Sequence, residues 1–200
     1  MKNDYVKRIN EARVYDVAKK SPLEFQTHLS SRFHNQIFLK REDLQPVFSF
    51  KLRGAYNKMA GLSKPQLDKG VITASAGNHA QGVALSAKLL GIQATIFMPE
   101  HAPLPKVRAT EGYGADVRLA GQNVGECLAL ARQFSSATGA IFVHPFDDRQ
   151  VIVGQGTLAL DIFKQCPDVG TVVVCTGGGG MLSGIAMAMK QLKVPSCGAY

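Results

Sequence analysis

The chain has 200 residues, 46% of them hydrophobic and 19% charged, with 20 glycines, a composition that excludes a disordered segment and supplies enough apolar matter for a sizeable core. Its net charge of +8 is uneven, since residues 1–70 hold 14 Lys or Arg against 7 Asp or Glu while residues 71–200 hold 9 against 8. No arginine-rich stripe or RNP-type aromatic set accompanies the basic excess, so nucleic-acid binding is not expected.

The N-terminal third is irregular. Residues 4–18 read as a helix with Tyr5, Ile9, Ala12 and Asp16 along one side, Pro22 breaks the chain, residues 36–40 read as a strand, and residues 48–60 resume helical spacing. From residue 70 onward strands and helices alternate. Strands are expected at 70–74, 93–98, 115–119, 140–143 and 171–175, with helices at 79–90, 105–111, 124–137, 151–165 and 181–192. The final stretch, residues 193–200, begins another strand. Strands that are apolar throughout and separated by helices of about a dozen residues imply an α/β fold with parallel sheets covered on both faces.

Cys127, Cys166, Cys175 and Cys197 stand far apart with no C-x-x-C pair, which predicts neither a metal site nor a disulfide framework. Residues 1–20 contain no apolar core of signal-peptide length, and no stretch reaches the roughly 18 apolar residues of a membrane span. A cytoplasmic location without a membrane partner is the expectation.

Three places can carry chemistry. Val172-Val173-Val174-Cys175-Thr176 leads into Gly177-Gly178-Gly179-Gly180 and then Met181-Leu182-Ser183, a strand, a glycine turn and a helix. Backbone N–H groups without Cβ atoms can close around an anion, and the helix N-terminus adds positive potential, so phosphate is the expected occupant. The run matches neither G-x-G-x-x-G nor a P-loop with its Lys-Ser or Lys-Thr, so the phosphate need not belong to a nucleotide. The second place is Ser75-Ala76-Gly77-Asn78-His79, at the carboxyl end of a strand and the mouth of a helix, where a carboxylate or phenolic oxygen can be held. Asn78 also suits a plain helix N-cap, and His79 reads as structural rather than as a general base. The third is Lys51, crowded by Val47, Phe48, Phe50 and Leu52. A lysine desolvated in this way at a helix start has its pKa lowered and becomes nucleophilic toward carbonyls. An aldehyde-bearing phosphate cofactor explains Lys51 and the glycine turn together.

The run Lys40-Arg41-Glu42-Asp43-Leu44-Gln45-Pro46-Val47-Phe48-Ser49-Phe50-Lys51-Leu52-Arg53-Gly54, then Ser75-Ala76-Gly77-Asn78-His79, then the four glycines, in this order, resembles the threonine dehydratases of the fold-type-II pyridoxal-phosphate enzymes, the biosynthetic type in particular. Arg13-Val14-Tyr15-Asp16 and Pro145-Phe146-Asp147 with Gly154-Gln155-Gly156-Thr157 fit as well, so the resemblance covers nearly the whole chain. It implies a tryptophan-synthase-β-like fold with residues 1–55 as the start of a large domain, 56–149 as a small α/β domain, and 150–200 as a return into the large domain, which is incomplete. It implies pyridoxal 5'-phosphate as cofactor, with Lys51 as its covalent anchor and catalytic base and Asn78 on its ring hydroxyl. Gly177, Gly178, Gly179, Gly180 and the N–H of Met181 match the phosphate cup, and Ser75, Ala76, Gly77, Asn78 and His79 match the loop for the substrate carboxylate. The implied reaction is deamination of L-threonine to 2-oxobutanoate and ammonia, the first step of isoleucine biosynthesis, in a homo-oligomeric parent. Serine/threonine dehydratase and serine racemase share these motifs, and a folded but inactive fragment is the alternative of another class. The segment after Pro99 departs from the family pattern, Met181 replaces a leucine, and the serine expected on the pyridine nitrogen, like the ACT-like regulatory modules, has no counterpart in these residues.

Overall fold

The computed structural model describes residues 5–192 and the backbone of residues 196–199. The helix expected over 4–18 is two elements, α1 (Tyr5–Asn10) and a 3₁₀ turn (Arg13–Asp16), separated by Ala12 in extended backbone. Tertiary bonds re-aim the chain there. Val14 is fully buried, and the Tyr15 hydroxyl donates to Asp161 at 2.6 Å, gains that a continued surface helix would forgo.

Two short strands, β1 (Leu23–Phe25) and β2 (Phe38–Lys40), pair antiparallel around α2 (Thr27–Phe33), with Phe25 opposite Phe38 and their rings 5.3 Å apart. A 3₁₀ turn (Glu42–Leu44) follows, and the helix expected from residue 48 starts at Lys51, because Phe48 lies at φ 54° and cannot join it. This helix, α3 (Lys51–Ala60), is followed by α4 (Lys64–Leu67).

The regular alternation then appears as expected: β3 (Val71–Ala74), α5 (Asn78–Leu90), β4 (Ala94–Met98), α6 (Leu104–Glu111), β5 (Asp116–Leu119), α7 (Val124–Thr138) and β6 (Ile141–Phe142). The four strands form one parallel sheet in the order β5-β4-β3-β6, with Val71 opposite both Ala94 and Ile141. A second parallel pair joins β7 (Thr171–Val174) to β8 (Ser196–Ala199), flanked in sequence by α8 (Arg149–Gln165) and α9 (Gly180–Gln191). Every residue of β3 is buried, as expected for a strand covered on both faces. β7 departs from that expectation. Val172 and Val174 are buried against Ile185 and Met189, whereas Val173 is 65% exposed, so one face of this strand is uncovered.

α8 is the central helix. It meets α3 where a Cβ on Gly154 would lie 2.6 Å from the Arg53 carbonyl oxygen, and it meets α9 where a Cβ on Gly184 would lie 2.4 Å from the Ile152 carbonyl oxygen. Only glycine lets the backbones approach so closely. Around it a buried polar set ties the N-terminal third to the helices: fully buried Arg53 donates from Nε to Glu42 at 2.8 Å, from Nη1 to Thr157 at 3.0 Å, and from Nη2 to Asp161 at 3.0 Å. Among the described residues, no helix is long and apolar enough to cross a membrane, and no group of three or more His, Cys, Asp or Glu could hold a metal ion. Cys127, Cys166 and Cys175 are free thiols; Cys197 lies where side chains are not described.

Candidate active site

Lys51 is the first residue of α3, and its N–H donates to the Ser49 hydroxyl at 3.2 Å. Its Nζ donates to the carbonyl oxygen of Pro145 at 2.6 Å and lies 5.5 Å from the Phe50 ring. Burial lowers the pKa of this amine; among the described residues no carboxylate forms an ion pair with it to offset that cost. α5 crosses directly beneath, with a Cβ on Gly82 falling 3.3 Å from the Lys51 carbonyl oxygen. The amine is therefore held in place with its pKa shifted toward the neutral form, the form that attacks a carbonyl.

Facing it is the glycine turn between β7 and α9. Gly179 is the N-cap of α9 at φ 82°, and no side chain caps the helix. A Cβ on Gly178 would fall 2.3 Å from the Phe146 ring and one on Gly180 2.7 Å from the Phe146 carbonyl oxygen, so Phe146 is the wall against which the turn is pressed. The first N–H groups of α9 have no intrahelical acceptor and carry the positive end of the helix dipole. Lys51, Phe50, Phe146 and residues 175–182 enclose a cavity of about 470 Å³. Lys51 is the one formally charged group among these lining residues, and none is acidic. Lys51, Gly177, Gly178, Gly179, Gly180 and Met181 thus share one cavity.

Ser75, Ala76, Gly77, Asn78 and His79 do not line this cavity. They follow β3, with the Ser75 hydroxyl accepting the Gly77 N–H at 3.2 Å. Asn78 is exposed and is the first residue of α5; the N-cap is Gly77, so the capping role considered for Asn78 does not hold. His79 is buried, its Nε2 donates to the Val143 carbonyl at 3.0 Å, and its Nδ1 finds no protein partner. Burial pushes its pKa down to about 3, only partly opposed by that backbone bond.

The segment after β6 links the motifs, and sequence reasoning gave it too little weight. The Val143 carbonyl receives both His79 and the Thr73 hydroxyl, the Pro145 carbonyl receives Lys51, and Phe146 abuts the glycine turn. The one signal in the sequence was Pro145-Phe146-Asp147 between a short strand and a helix, a connection that must turn tightly.

The family model described as pyridoxal-phosphate-dependent enzyme matches residues 14–198. The chain belongs to this family. It is 50% identical over 189 residues to the biosynthetic L-threonine dehydratase of Escherichia coli, covering 94% of this chain and 37% of that protein. With the L-threonine ammonia-lyase of Thermotoga maritima it shares 49% over 177 residues, or 88% of this chain and 44% of the relative. The solved processed form of threonine deaminase isoform 2 from Solanum lycopersicum superposes with a TM-score of 0.95 at 46% identity, covering 98% of this chain and 54% of that one. Maize serine racemase superposes at 0.93 with 34% identity, covering 97% and 60%. The expected fold-type-II architecture, with parallel sheets flanked by helices, is the observed one, and the chain spans less than half the length of these curated dehydratases and ammonia-lyases.

Proposed function

We propose that the chain is the part of a threonine dehydratase that anchors pyridoxal 5'-phosphate and binds L-threonine, for conversion to 2-oxobutanoate and ammonia in isoleucine biosynthesis. The observation that carries this reading is one cavity holding a desolvated lysine opposite an uncapped glycine turn at a helix N-terminus, with no acidic lining residue. An aldehyde-bearing phosphate suits it at both ends: the aldehyde meets an amine and the dianion meets N–H groups.

In this reading Lys51 Nζ would be the anchor that holds the cofactor at its aldehyde carbon. Residues 177–180 and the Met181 N–H hold the phosphate, and Asn78, exposed at the start of α5, reaches the ring hydroxyl. Bound there, pyridoxal phosphate supplies a conjugated ring that accepts the electron pair left when a proton leaves the amino acid's Cα. Ser75, Ala76, Gly77 and His79 orient the substrate carboxylate. Lys51 Nζ would be the base that takes the Cα proton, a task suited to an amine whose pKa burial lowers. The same reading divides the chain into 1–55 and 150–200 as parts of a large domain and 56–149 as a small one, supported by the separate four-stranded sheet. It also includes a cytoplasmic location and a homo-oligomeric longer parent.

The test is to add pyridoxal phosphate to the purified chain, record the visible absorbance, reduce with borohydride and find the modified residue by mass. The expected result is an adduct on Lys51 that Lys51→Ala abolishes along with turnover, a loss on the order of 10²–10⁴ for a missing base alone. Colour and turnover retained in that variant would sink the assignment. A second reading, serine racemase or serine dehydratase, is favoured by the likeness to the maize racemase; turnover of L-threonine against L-serine and product chirality separate the two. An inactive fragment, the reading favoured by the uncovered face at Val173, predicts no band and no adduct.

A further inference from the structure

We propose that His144 is a positioning residue for Lys51, its Nδ1 folding the turn that delivers the Pro145 carbonyl to the Lys51 amine and the Phe146 ring to the glycine turn. The proposal rests on the reading of Lys51 as the cofactor anchor. Nδ1 of His144 accepts the backbone N–H of Asp147 at 2.7 Å and that of Phe146 at 3.3 Å, so it carries no proton and the neutral ring bears its hydrogen on Nε2. The ring is wedged between Phe142, 6.0 Å away, and Phe146, 4.6 Å away and edge-on. One residue on, the Pro145 carbonyl accepts Lys51 Nζ at 2.6 Å. Two residues on, Phe146 is the contact that excludes a Cβ from Gly178 and Gly180. One imidazole thus fixes where the amine sits relative to the turn that faces it.

The device works only with neutral His144. A proton on Nδ1 would set three N–H groups against one another and open the turn. Burial lowers the pKa of His144, with Arg132 and Lys51 acting in the same direction and Asp147 and Asp148 opposing, and His79 is a further neighbouring base. The turn is accordingly closed at neutral pH and opens on the acid side.

Two variants separate this from plain packing. His144→Phe keeps the wedged ring and deletes the acceptor, while His144→Asn gives up the ring and keeps an oxygen able to receive the same N–H groups, as in an Asx-turn. Expected is a slowing of borohydride-trapped adduct formation at Lys51 by about tenfold or more in His144→Phe, the scale for a misplaced reacting group, with recovery in His144→Asn and a shallower acid limb of the rate-against-pH curve there, only the part due to protonation of Lys51 itself remaining. Equal rates and equal pH curves in all three proteins would overturn the proposal while leaving the cofactor reading intact. An adduct absent even from the wild-type chain would count against the cofactor reading. His144 is then still decided without cofactor by the pH midpoint for acylation of Lys51 with a small anhydride. It should shift in His144→Phe alone, because Nζ loses its fixed acceptor, and a midpoint common to all three chains overturns the proposal. If His144→Phe does not fold, imidazole ¹⁵N shifts of the wild-type chain decide: an unprotonated Nδ1 at pH 7 supports the device, and a proton on Nδ1 refutes it.

Discussion

α8 and α9 lie against each other through Gly156 and Gly184, yet their N-termini are finished in opposite ways. α8 is capped by its own chain: the Asp148 carboxylate accepts the N–H groups of Gln150 and Val151 at 2.7 and 3.2 Å and pairs with Lys58 at 2.7 Å. α9 starts from Gly179 with no side-chain cap, next to Lys51 and an open cavity. A side-chain cap typically contributes 0.5–2 kcal/mol, so α9 forgoes local stability and keeps its N–H groups and positive potential free for an external anion. α7, capped by Asn123, follows α8; α5, which starts from Gly77 beside the Ser75–Asn78 loop, follows α9. Among these four helices, α7 and α8 satisfy their own N-termini, whereas α5 and α9, which start at the proposed substrate and cofactor loops, carry no side-chain cap. α2 and α6 also lack one, so an open end marks a ligand site only where a cavity and a lysine stand beside it, as at α9.

The buried ionic set offers the largest test that should ignore this difference. Arg53→Met strands Glu42 and Asp161 in a site that is almost closed to solvent, and the expected loss is about 3–5 kcal/mol. Urea unfolding checks it; a loss below 1 kcal/mol would mean that Lys40, 3.9 Å from Asp161, already compensates. Next is acid. His79 is neutral when folded, with its pKa down to about 3, while the unfolded side chain titrates near 6.5. Below about pH 6.5 the unfolded state takes up a proton that the folded state refuses, so stability is full above that pH and falls by about 1.4 kcal/mol per unit as pH drops toward 3. His79→Asn should flatten that part of the stability-against-pH curve, and an unchanged slope would show that His79 is protonated in the folded chain.

How far these features were legible in the sequence depends on whether a local pattern or a distant bond decides them. The glycine turn and Lys51 could be read because a strand, four glycines and a helix, or a lysine among Val47, Phe48, Phe50 and Leu52, state their own chemistry within ten residues. The β3-to-α8 alternation was legible for the same reason. α2 was not, since it has no buried residue and hence no apolar period to detect. The start of α3 was misjudged by three residues because nothing in residues 48–50 announces a left-handed Phe48. The break at Ala12 answers to Asp161, some 150 positions away, and the role of His144 depends on hydrogen bonds that only the folded turn creates.

Two small substitutions sharpen the comparison between capped and open helices. Gly179→Ala meets no atom within 4 Å, so its cost is conformational: at φ 82° an alanine loses about 1–2 kcal/mol. Its methyl also enters the turn proposed to hold phosphate, so trapping of the Lys51 adduct should weaken in the same variant. Asn123→Ala is the counterpart at a closed end. It removes the acceptor of the Glu126 N–H at 3.0 Å, with an expected cost of about 1 kcal/mol, while Glu126 still caps the Gln122 N–H at 2.8 Å. Both proteins would then unfold at nearly the same urea concentration, yet only Gly179→Ala should lose adduct at limiting pyridoxal phosphate. If Asn123→Ala lost as much, adduct formation would be tracking global stability, and the open end of α9 would have no special claim on the anion.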